Sequence, residues 1–422
     1  MTGFSTRAIR AATRAPQVEQ SPNSVPIYQA VTFSADDAAE LGDITALRRP
    51  GYSYARIANP TDAALEAAVA ELHEAEAAQS FATGMAAINA AVASVVSAGD
   101  RVVCTRSVYG TTRSQLVNVL GRFGVRVDFV DPTDLVAVES ALTAAPTGVL
   151  YVETISNPSI VVSDLEALAA IAHRHGAALV VDNTFASPYL CRPLRLGADL
   201  VAESATKFLG GHSDALGGIV VGDRGRMAKV RALQIDTGAT LGPFGAFLIL
   251  RGIATLAIRM DRHSKTSAEL AAWLENEPGV VRVYHPALAS HPQAEVSARQ
   301  LAAGGGIFAI ELAGGRPAGE AFVDALTIPE RTASIGSIHT IVAHPPSTTH
   351  RQLTDAELIE TGVSPGLLRV SVGLEDVEDL AADFAQALDA ARAAAPPEAG
   401  GDAEAVASSG SHQDRATAIA RP

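Results

Sequence analysis

Apolar residues recur along this chain in two alternating rhythms. Short dense runs predict strands: Arg101-Val102-Val103-Cys104, Val125–Val130, Val149-Leu150-Tyr151-Val152, Ala177–Val181 and Gly218–Val221. A further buried-looking run, Ala198–Glu203, precedes the last of these. Between the runs, apolar positions fall at helical spacing. Asn59-Pro60 marks a turn and Thr61 caps a helix with Leu65, Ala68, Val69 and Leu72 on one face. Thr83-Gly84-Met85 opens another, and helices follow over 113–121, 134–144 and 163–174. Short β-rich runs alternating with helices give an α/β fold with a mostly parallel sheet covered on both faces.

The rhythm changes at both ends. Residues 1 to 57 are interrupted by Pro16, Pro22, Pro26 and Pro50 and carry no long apolar stripe. An arm without its own core wraps another part of the molecule or a second subunit. Residues 223–262 read as largely helical, and helix 265–276 follows. Val280–Tyr284, Ile307–Glu311 and Leu368–Val372, with helices 317–325 and 377–394, predict a smaller α/β unit. After Ala395 the composition turns to Pro, Gly, Ser, Ala and scattered charge, the signature of a disordered tail. The expected division is an arm (1–57), a large domain (58–255), a C-terminal domain (256–395) and a tail (396–422).

Composition narrows the possibilities. The chain has 422 residues, 48% of them hydrophobic and 18% charged, as in globular proteins. Its net charge of −14 disfavours general binding to nucleic acid or anionic membrane. Cys104 and Cys191, its two cysteines, form no disulfide framework, which fits a reducing cytoplasm. The N-terminus shows no apolar signal region, and runs such as Ala86–Val96 are too short to span a bilayer.

Chemistry concentrates at the carboxyl ends of the predicted strands, where parallel sheets bind ligands. Three strands end in Asn157, in Asp182 and in Ser204-Ala205-Thr206-Lys207. The surroundings of Lys207 are small and apolar, and desolvation favours the neutral amine that condenses with a carbonyl. Asp182 follows Leu179-Val180-Val181 and needs a partner if buried, such as a protonated ring nitrogen. Asn157 can donate to a phenolate oxygen, Tyr109 can stack on a ring, and Ser204 and Thr206 can hold a phosphate. The N–H groups of Gly84 and Met85 at a helix start suit the same phosphate. Singly, each has a plainer reading as cap, turn or core. Together they describe a pocket for pyridoxal phosphate. Other motifs favour structural roles: Gly304-Gly305-Gly306 lacks the Lys-Ser/Thr of a phosphate loop, His173 and His175 diverge on a helix, and His344 and His350 flank a Pro/Ser/Thr loop. No metal site is expected.

Several ordered motifs resemble the Cys/Met-metabolism family of pyridoxal-phosphate enzymes over about residues 20–395. They are Tyr54-Ala55-Arg56 with Asn59-Pro60-Thr61, Thr83-Gly84-Met85, Tyr109-Gly110, Asp182-Asn183-Thr184, Ser204–Lys207 with Gly211-His212-Ser213-Asp214, Leu250-Arg251-Gly252, Arg259-Met260, His344-Pro345 with Thr349-His350, and Leu368–Gly373. The family includes cystathionine γ-synthases and γ-lyases, methionine γ-lyases and O-acylhomoserine sulfhydrylases. The resemblance implies the aspartate-aminotransferase-like fold (fold type I), with an arm, a cofactor domain and a small C-terminal domain, in a tetramer of two catalytic dimers. It implies that Lys207 condenses with the cofactor and then carries protons, that Asp182 pairs with the pyridine nitrogen, and that Asn157 contacts O3′. Tyr109 would stack and serve in acid–base steps. Gly84, Met85, Ser204 and Thr206 would hold the phosphate, joined by Tyr54 and Arg56 of a neighbouring subunit. Arg369 would bind the substrate carboxylate, with Ser334, Asn157 and Tyr54 nearby. The implied reaction is γ-elimination or γ-replacement on a γ-substituted amino acid, of cystathionine γ-lyase or γ-synthase type, with the sulfhydrylase next.

Four positions depart from the family pattern. Thr111 stands where methionine γ-lyases have Cys, Ile155 where Pro is common, Gly245 where many members have Asp, and His339 where cystathionine enzymes have Glu. Thr111 and His339 are therefore candidate substrate contacts. The mixture leaves room for a specialised enzyme that removes a γ group, such as halide, from a nonstandard amino acid. A cofactor-fold protein that has lost catalysis is the alternative of another class, and the retained Lys207, Asp182 and Arg369 speak against it.

Overall fold

The computed structural model describes residues 2–13, 22–348, 354–360 and 363–395. The expected tail and the Thr349-His350 motif lie outside these residues. Seven strands form the large sheet: β1 (Ala77–Phe81), β2 (Arg101–Thr105), β3 (Arg126–Val130), β4 (Val149–Glu153), β5 (Ala178–Asp182), β6 (Leu200–Glu203) and β7 (Gly218–Gly222). Their order is β1-β7-β6-β5-β4-β2-β3. β3, β2, β4, β5 and β6 run parallel, while β7 is antiparallel to both β6 and β1. β2, β4, β5, β6 and β7 are buried throughout, and separate apolar cores lie on the two faces. Burial on both faces explains why these strands read as continuous apolar runs.

Side-chain caps set the helices between the strands. Thr83 accepts from the Ala86 N–H, Asp134 from Ala137 and Asp164 from Ala167. One crossover departs from expectation. The segment predicted as helix 113–121 is a short helix Gly110–Ser114, a wider π-type turn Gln115–Val119 and a tight turn Leu120–Phe123 closed by Gly124. β1 escaped the sequence reading because Ala-Ala-Gln-Ser-Phe contains a single bulky apolar residue.

The smaller sheet, ordered β10-β11-β9-β8, is antiparallel throughout: β8 (Val280–Tyr284), β9 (Ile307–Leu312), β10 (Ile341–Ala343) and β11 (Leu367–Ser371). Its core centres on Phe322 and Phe384, packed edge to face at 5.4 Å. β10 is three residues long, too short for periodicity to reveal. The segment expected as helix 265–276 is the second half of a helix spanning Leu256–Leu274.

The arm is more ordered than its composition predicts. Phe4–Thr13 is a helix whose Ala8, Ala11 and Ala12 are buried, and it packs on helix Pro60–His73. Glu74 ties it down by accepting Arg7 at 2.9 Å. Alanines at i, i+3 and i+4 make a helix face without bulky residues, so the stripe is easily missed. Among the described residues no single helix is long and apolar enough to cross a membrane. The bent pair Pro243–Ile253 and Leu256–Leu274 passes by length and composition together, yet Ile249, Leu250, Ile253, Leu256 and Met260 are spent on the core.

Candidate active site

The carboxyl ends of β4, β5 and β6 open into a cavity of about 200 Å³. Parallel pairing sets Glu153 of β4 beside Asp182 of β5, and Asp182 beside Ala202 of β6. Lys207 lies in the turn after β6, with Nζ donating to Ser334 Oγ at 3.0 Å. Burial, and then the charge of Arg369, hold its pKa below the ordinary lysine value. Both effects enlarge the fraction of neutral, nucleophilic amine.

Asp182 is held by local donors. The Thr184 N–H donates to Oδ1 at 2.9 Å, and the Tyr151 hydroxyl lies 3.4 Å from Oδ2. Burial pushes its carboxyl up, the Thr184 bonds pull it back, and Glu203 pushes it up again. Strand alternation points Glu203 to the other sheet face. There it accepts from Asn183 Nδ2 at 2.7 Å and lies 3.1 Å from His73 Nε2, all three residues being buried. No cationic side chain pairs directly with Asp182 among the described residues, so a buried cation placed against it would be strongly stabilised.

A cup of backbone N–H groups lies at the other end. Helix Gly84–Ala93 starts at the cavity, and its first N–H groups, those of Gly84 and Met85, have no partner within the helix. Two close approaches shape the cup. A Cβ on Gly84 would fall 2.6 Å from Ser204 Cβ, and one on Gly218 would fall 2.2 Å from the Thr83 carbonyl oxygen. The Thr206 hydroxyl is braced by Gly217, accepting its N–H at 3.0 Å.

Arg369 on β11 enters from the small sheet. It is 8% exposed. Nη1 donates to Asn157 Oδ1 at 2.9 Å and Nη2 to the Ser334 carbonyl at 3.1 Å, while Nε is buried without a partner among the described residues. Burial lowers its pKa to about 10, and nearby Tyr109 acts to raise it. Tyr109, 40% exposed, stands at the mouth. Ile155, Phe185, Leu216 and Ile335 supply apolar wall.

The structure thus gathers Gly84, Met85, Tyr109, Asn157, Asp182, Ser204, Thr206, Lys207, Ser334 and Arg369 around one cavity. Four expected residues do not line it in the single chain. Tyr54 is 43% exposed, and Arg56 donates to the Ile235 carbonyl at 2.7 Å. Thr111, on helix Gly110–Ser114, and His339 are both exposed. Gly245 is not itself among the lining residues but packs against Leu241 and beside the Leu216 backbone, behind the cavity wall. His173 and His175 contact Asp199 and Glu139 separately, and His344 is buried between Ser347 and the Pro365 carbonyl. Sequence reasoning missed Glu153 and Thr184. Glu153 ends a strand as Asp182 does, and Thr184 is a hydroxyl two residues past a strand-end acid, so both carried a usable signal.

The donor set fits pyridoxal phosphate. An amine poised for a carbonyl, an acid that lacks a cation among the described residues, and a cup of N–H and hydroxyl groups suited to an anion lie around one cavity. Comparison with known proteins points the same way. Residues 5–389 match the family described as Cys/Met metabolism PLP-dependent enzyme. The chain is 43% identical over 392 residues to an L-methionine γ-lyase of Pseudomonas putida, covering 92% of this chain and 98% of that one. It is 41% identical over 385 residues to an O-succinylhomoserine sulfhydrylase of Pseudomonas aeruginosa, covering 91% and 95%. The solved cystathionine γ-synthase of Xanthomonas oryzae pv. oryzae superposes with a TM-score of 0.88 at 35% identity, covering 93% and 100%. The chain belongs to the Cys/Met-metabolism family of pyridoxal-phosphate-dependent enzymes, and is a lyase or transferase of the trans-sulfuration class acting by γ-elimination or γ-replacement.

Proposed function

We propose that the enzyme acts on L-amino acids carrying a small uncharged γ substituent, with L-methionine-like substrates favoured over cystathionine. The carrying observation is the cavity wall. Its apolar part is Ile155, Phe185, Leu216 and Ile335, and the polar candidates Thr111 and His339 are not among the lining residues. These four side chains offer nothing to pair with the charged far end of cystathionine, whose desolvation against them would go uncompensated. The likeness to a methionine γ-lyase supports this reading, although Thr111 departs from the Cys that the family resemblance typically implies for such enzymes. The O-succinylhomoserine sulfhydrylase likeness supports a second reading, replacement at an acylated γ oxygen.

Bound pyridoxal phosphate supplies the electron sink for proton loss at Cα and Cβ. Lys207, whose amine donates to Ser334 Oγ, would anchor it covalently and would carry protons at the substrate carbons. Asp182 would keep the ring nitrogen protonated. Gly84, Met85, Ser204 and Thr206 would hold the phosphate, and Asn157 would contact O3′. Tyr109 would stack on the ring and would serve as the second acid–base group. Arg369 takes the substrate carboxylate on its free Nε–H and an adjacent N–H.

Tyr54 and Arg56 complete a neighbouring subunit's cup, in catalytic dimers paired into a tetramer. Their exposed position at the base of the arm supports this, as does a cup that has no arginine of its own among the described residues. The divisions at 57, 255 and 395 serve this plan of arm, cofactor domain and C-terminal domain. A reducing cytoplasm suits Cys104 and Cys191, both free and buried.

The test is a substrate panel of methionine, homocysteine, cysteine, cystathionine, O-acetyl- and O-succinylhomoserine and γ-halo amino acids. It follows 2-oxo acid release with and without added thiol. Thiol-independent release from methionine supports the main reading, and thiol-dependent product from O-succinylhomoserine supports the second. Preferred cleavage of cystathionine refutes the argument from the wall. A protein that stays colourless after reconstitution would mark a fold that has lost its catalyst.

A further inference from the structure

Two loops carry the groups that face the substrate. One follows β2 and presents Tyr109; the other follows β4 and presents Asn157. Both are tied to a single side chain. The Tyr109 N–H donates to Glu153 Oε1 at 2.8 Å, and the Asn157 N–H donates to Glu153 Oε2 at 3.1 Å. Glu153 is 4% exposed, lines the cavity, and has its own carbonyl fixed by the Ser163 hydroxyl at 2.8 Å. From Asn157 the connection continues to Arg369 and then to Ser334, which also meets Lys207. One carboxylate therefore stands behind the ring of Tyr109 and behind the fork of Arg369.

We propose that Glu153 is a positioning residue for the reaction, clamping the Tyr109 and Asn157 loops in a common register. The proposal rests on the cofactor and carboxylate roles given above. The clamp needs an acceptor at both oxygens, which only the ionised carboxylate supplies without rotating a proton out of the way. Burial, and then neighbouring Asp182, push the Glu153 carboxyl well above its ordinary range, while the two N–H bonds pull it down. The pairing register of β4 and β5 makes this opposition direct, since Glu153 lies opposite Asp182. A protonated ring nitrogen held against Asp182 would offset that second push, and burial would remain.

The decisive variant is Glu153→Gln in the full-length, cofactor-loaded enzyme. It keeps the size and one acceptor, but sets an NH2 donor against one of the two N–H groups. Backbone amide exchange should then quicken about tenfold or more in the loop losing its bond, as for loss of a bond to a charged acceptor. KM for the amino acid should rise by a similar factor, with the cofactor's visible band kept and the melting temperature lowered by no more than a few degrees. Glu153→Asp keeps the charge but shortens the reach by one methylene, and should likewise raise KM. It serves as the second variant should Gln fail to fold. Unchanged exchange in both loops together with unchanged KM overturns the proposal. A lower melting temperature with normal KM also overturns it, because a merely structural role does that. A wild-type protein without a visible band overturns the cofactor reading instead, and the exchange comparison still decides the clamp.

Discussion

Removing the Arg369 fork is the most direct probe of the carboxylate end. Nη1 and Nη2 are engaged by Asn157 and Ser334, and Nε is buried with no partner among the described residues. The pKa of about 10 leaves roughly 1% of the side chain neutral at pH 8, so the cation is present throughout the assay range. A carboxylate bound as a fork makes two hydrogen bonds to a charged group, each contributing about 1.5–3 kcal/mol. Arg369→Ala should therefore cost about 3–6 kcal/mol, or roughly 10²–10⁴ in kcat/KM. Arg369→Lys keeps the charge and loses the fork, so roughly 10–100-fold is expected. The loss should appear mainly in KM, because the carboxylate is bound alike in ground and transition states. The assay is steady-state 2-oxo acid release, with cofactor content measured from the visible band. Normal KM in Arg369→Ala with full cofactor content would refute the assignment. A rise in KM accompanied by lost cofactor would instead mean that Arg369 mainly supports Asn157 and Ser334.

Three further outcomes follow from geometry and charge. Gly84→Ala drives a Cβ to 2.6 Å from Ser204 Cβ and should weaken cofactor affinity about tenfold or more, read by fluorescence titration of the apoenzyme; unchanged affinity would remove Gly84 from the phosphate cup. Asp62, 4% exposed and with Oδ1 unpartnered, has its pKa raised to about 8 by burial first and Glu66 second. The folded state therefore holds the proton more tightly, its contribution is complete below pH 4, and it is lost as pH rises through 8. Asp62→Asn should melt higher than wild type at pH 9 and lose that advantage near pH 4; equal melting at pH 9 would contradict the buried charge. His263 and His285 are pushed down to about 4, mainly by burial. The unfolded chain takes up protons that the fold refuses between pH 6.5 and 4, so acid destabilises by about 1.4 kcal/mol per pH unit for each histidine. His285→Asn should flatten that slope in denaturant titrations at pH 7 and pH 5, and an unaltered slope would count against it.

How much could be read without the fold depends on how local each signal was. Val149–Val152, Ala178–Val181 and Leu200–Ala202 declare themselves as strands because burial on both faces demands unbroken apolar residues. Their last residues declare chemistry because a polar group directly after such a run has nowhere to go but the sheet's carboxyl edge. The covering helices followed from caps such as Thr83 and Asp164. Other features were invisible for equally local reasons. The alanine face of Phe4–Thr13, the sparse β1 and the three-residue β10 carry too few bulky side chains to set a period.

Distance and orientation were decided by tertiary structure alone. No spacing in the chain announces that Arg369, from the small antiparallel sheet, meets Asn157 across 212 residues, or that Lys207 meets Ser334 across 127. Thr111 and His339 are candidate substrate contacts by position in the sequence, and in the single chain both are exposed and outside the cavity lining. Glu153 shows the division most plainly. The chain marks it only as a strand-end acid, while the packing of two loops against it makes one carboxylate an acceptor for both. Local sequence determines which residues form elements and which polar groups stand at their ends, because those depend on neighbours a few positions away. Which of these groups share a cavity, and what charge each sees there, depends on contacts the fold creates between distant segments.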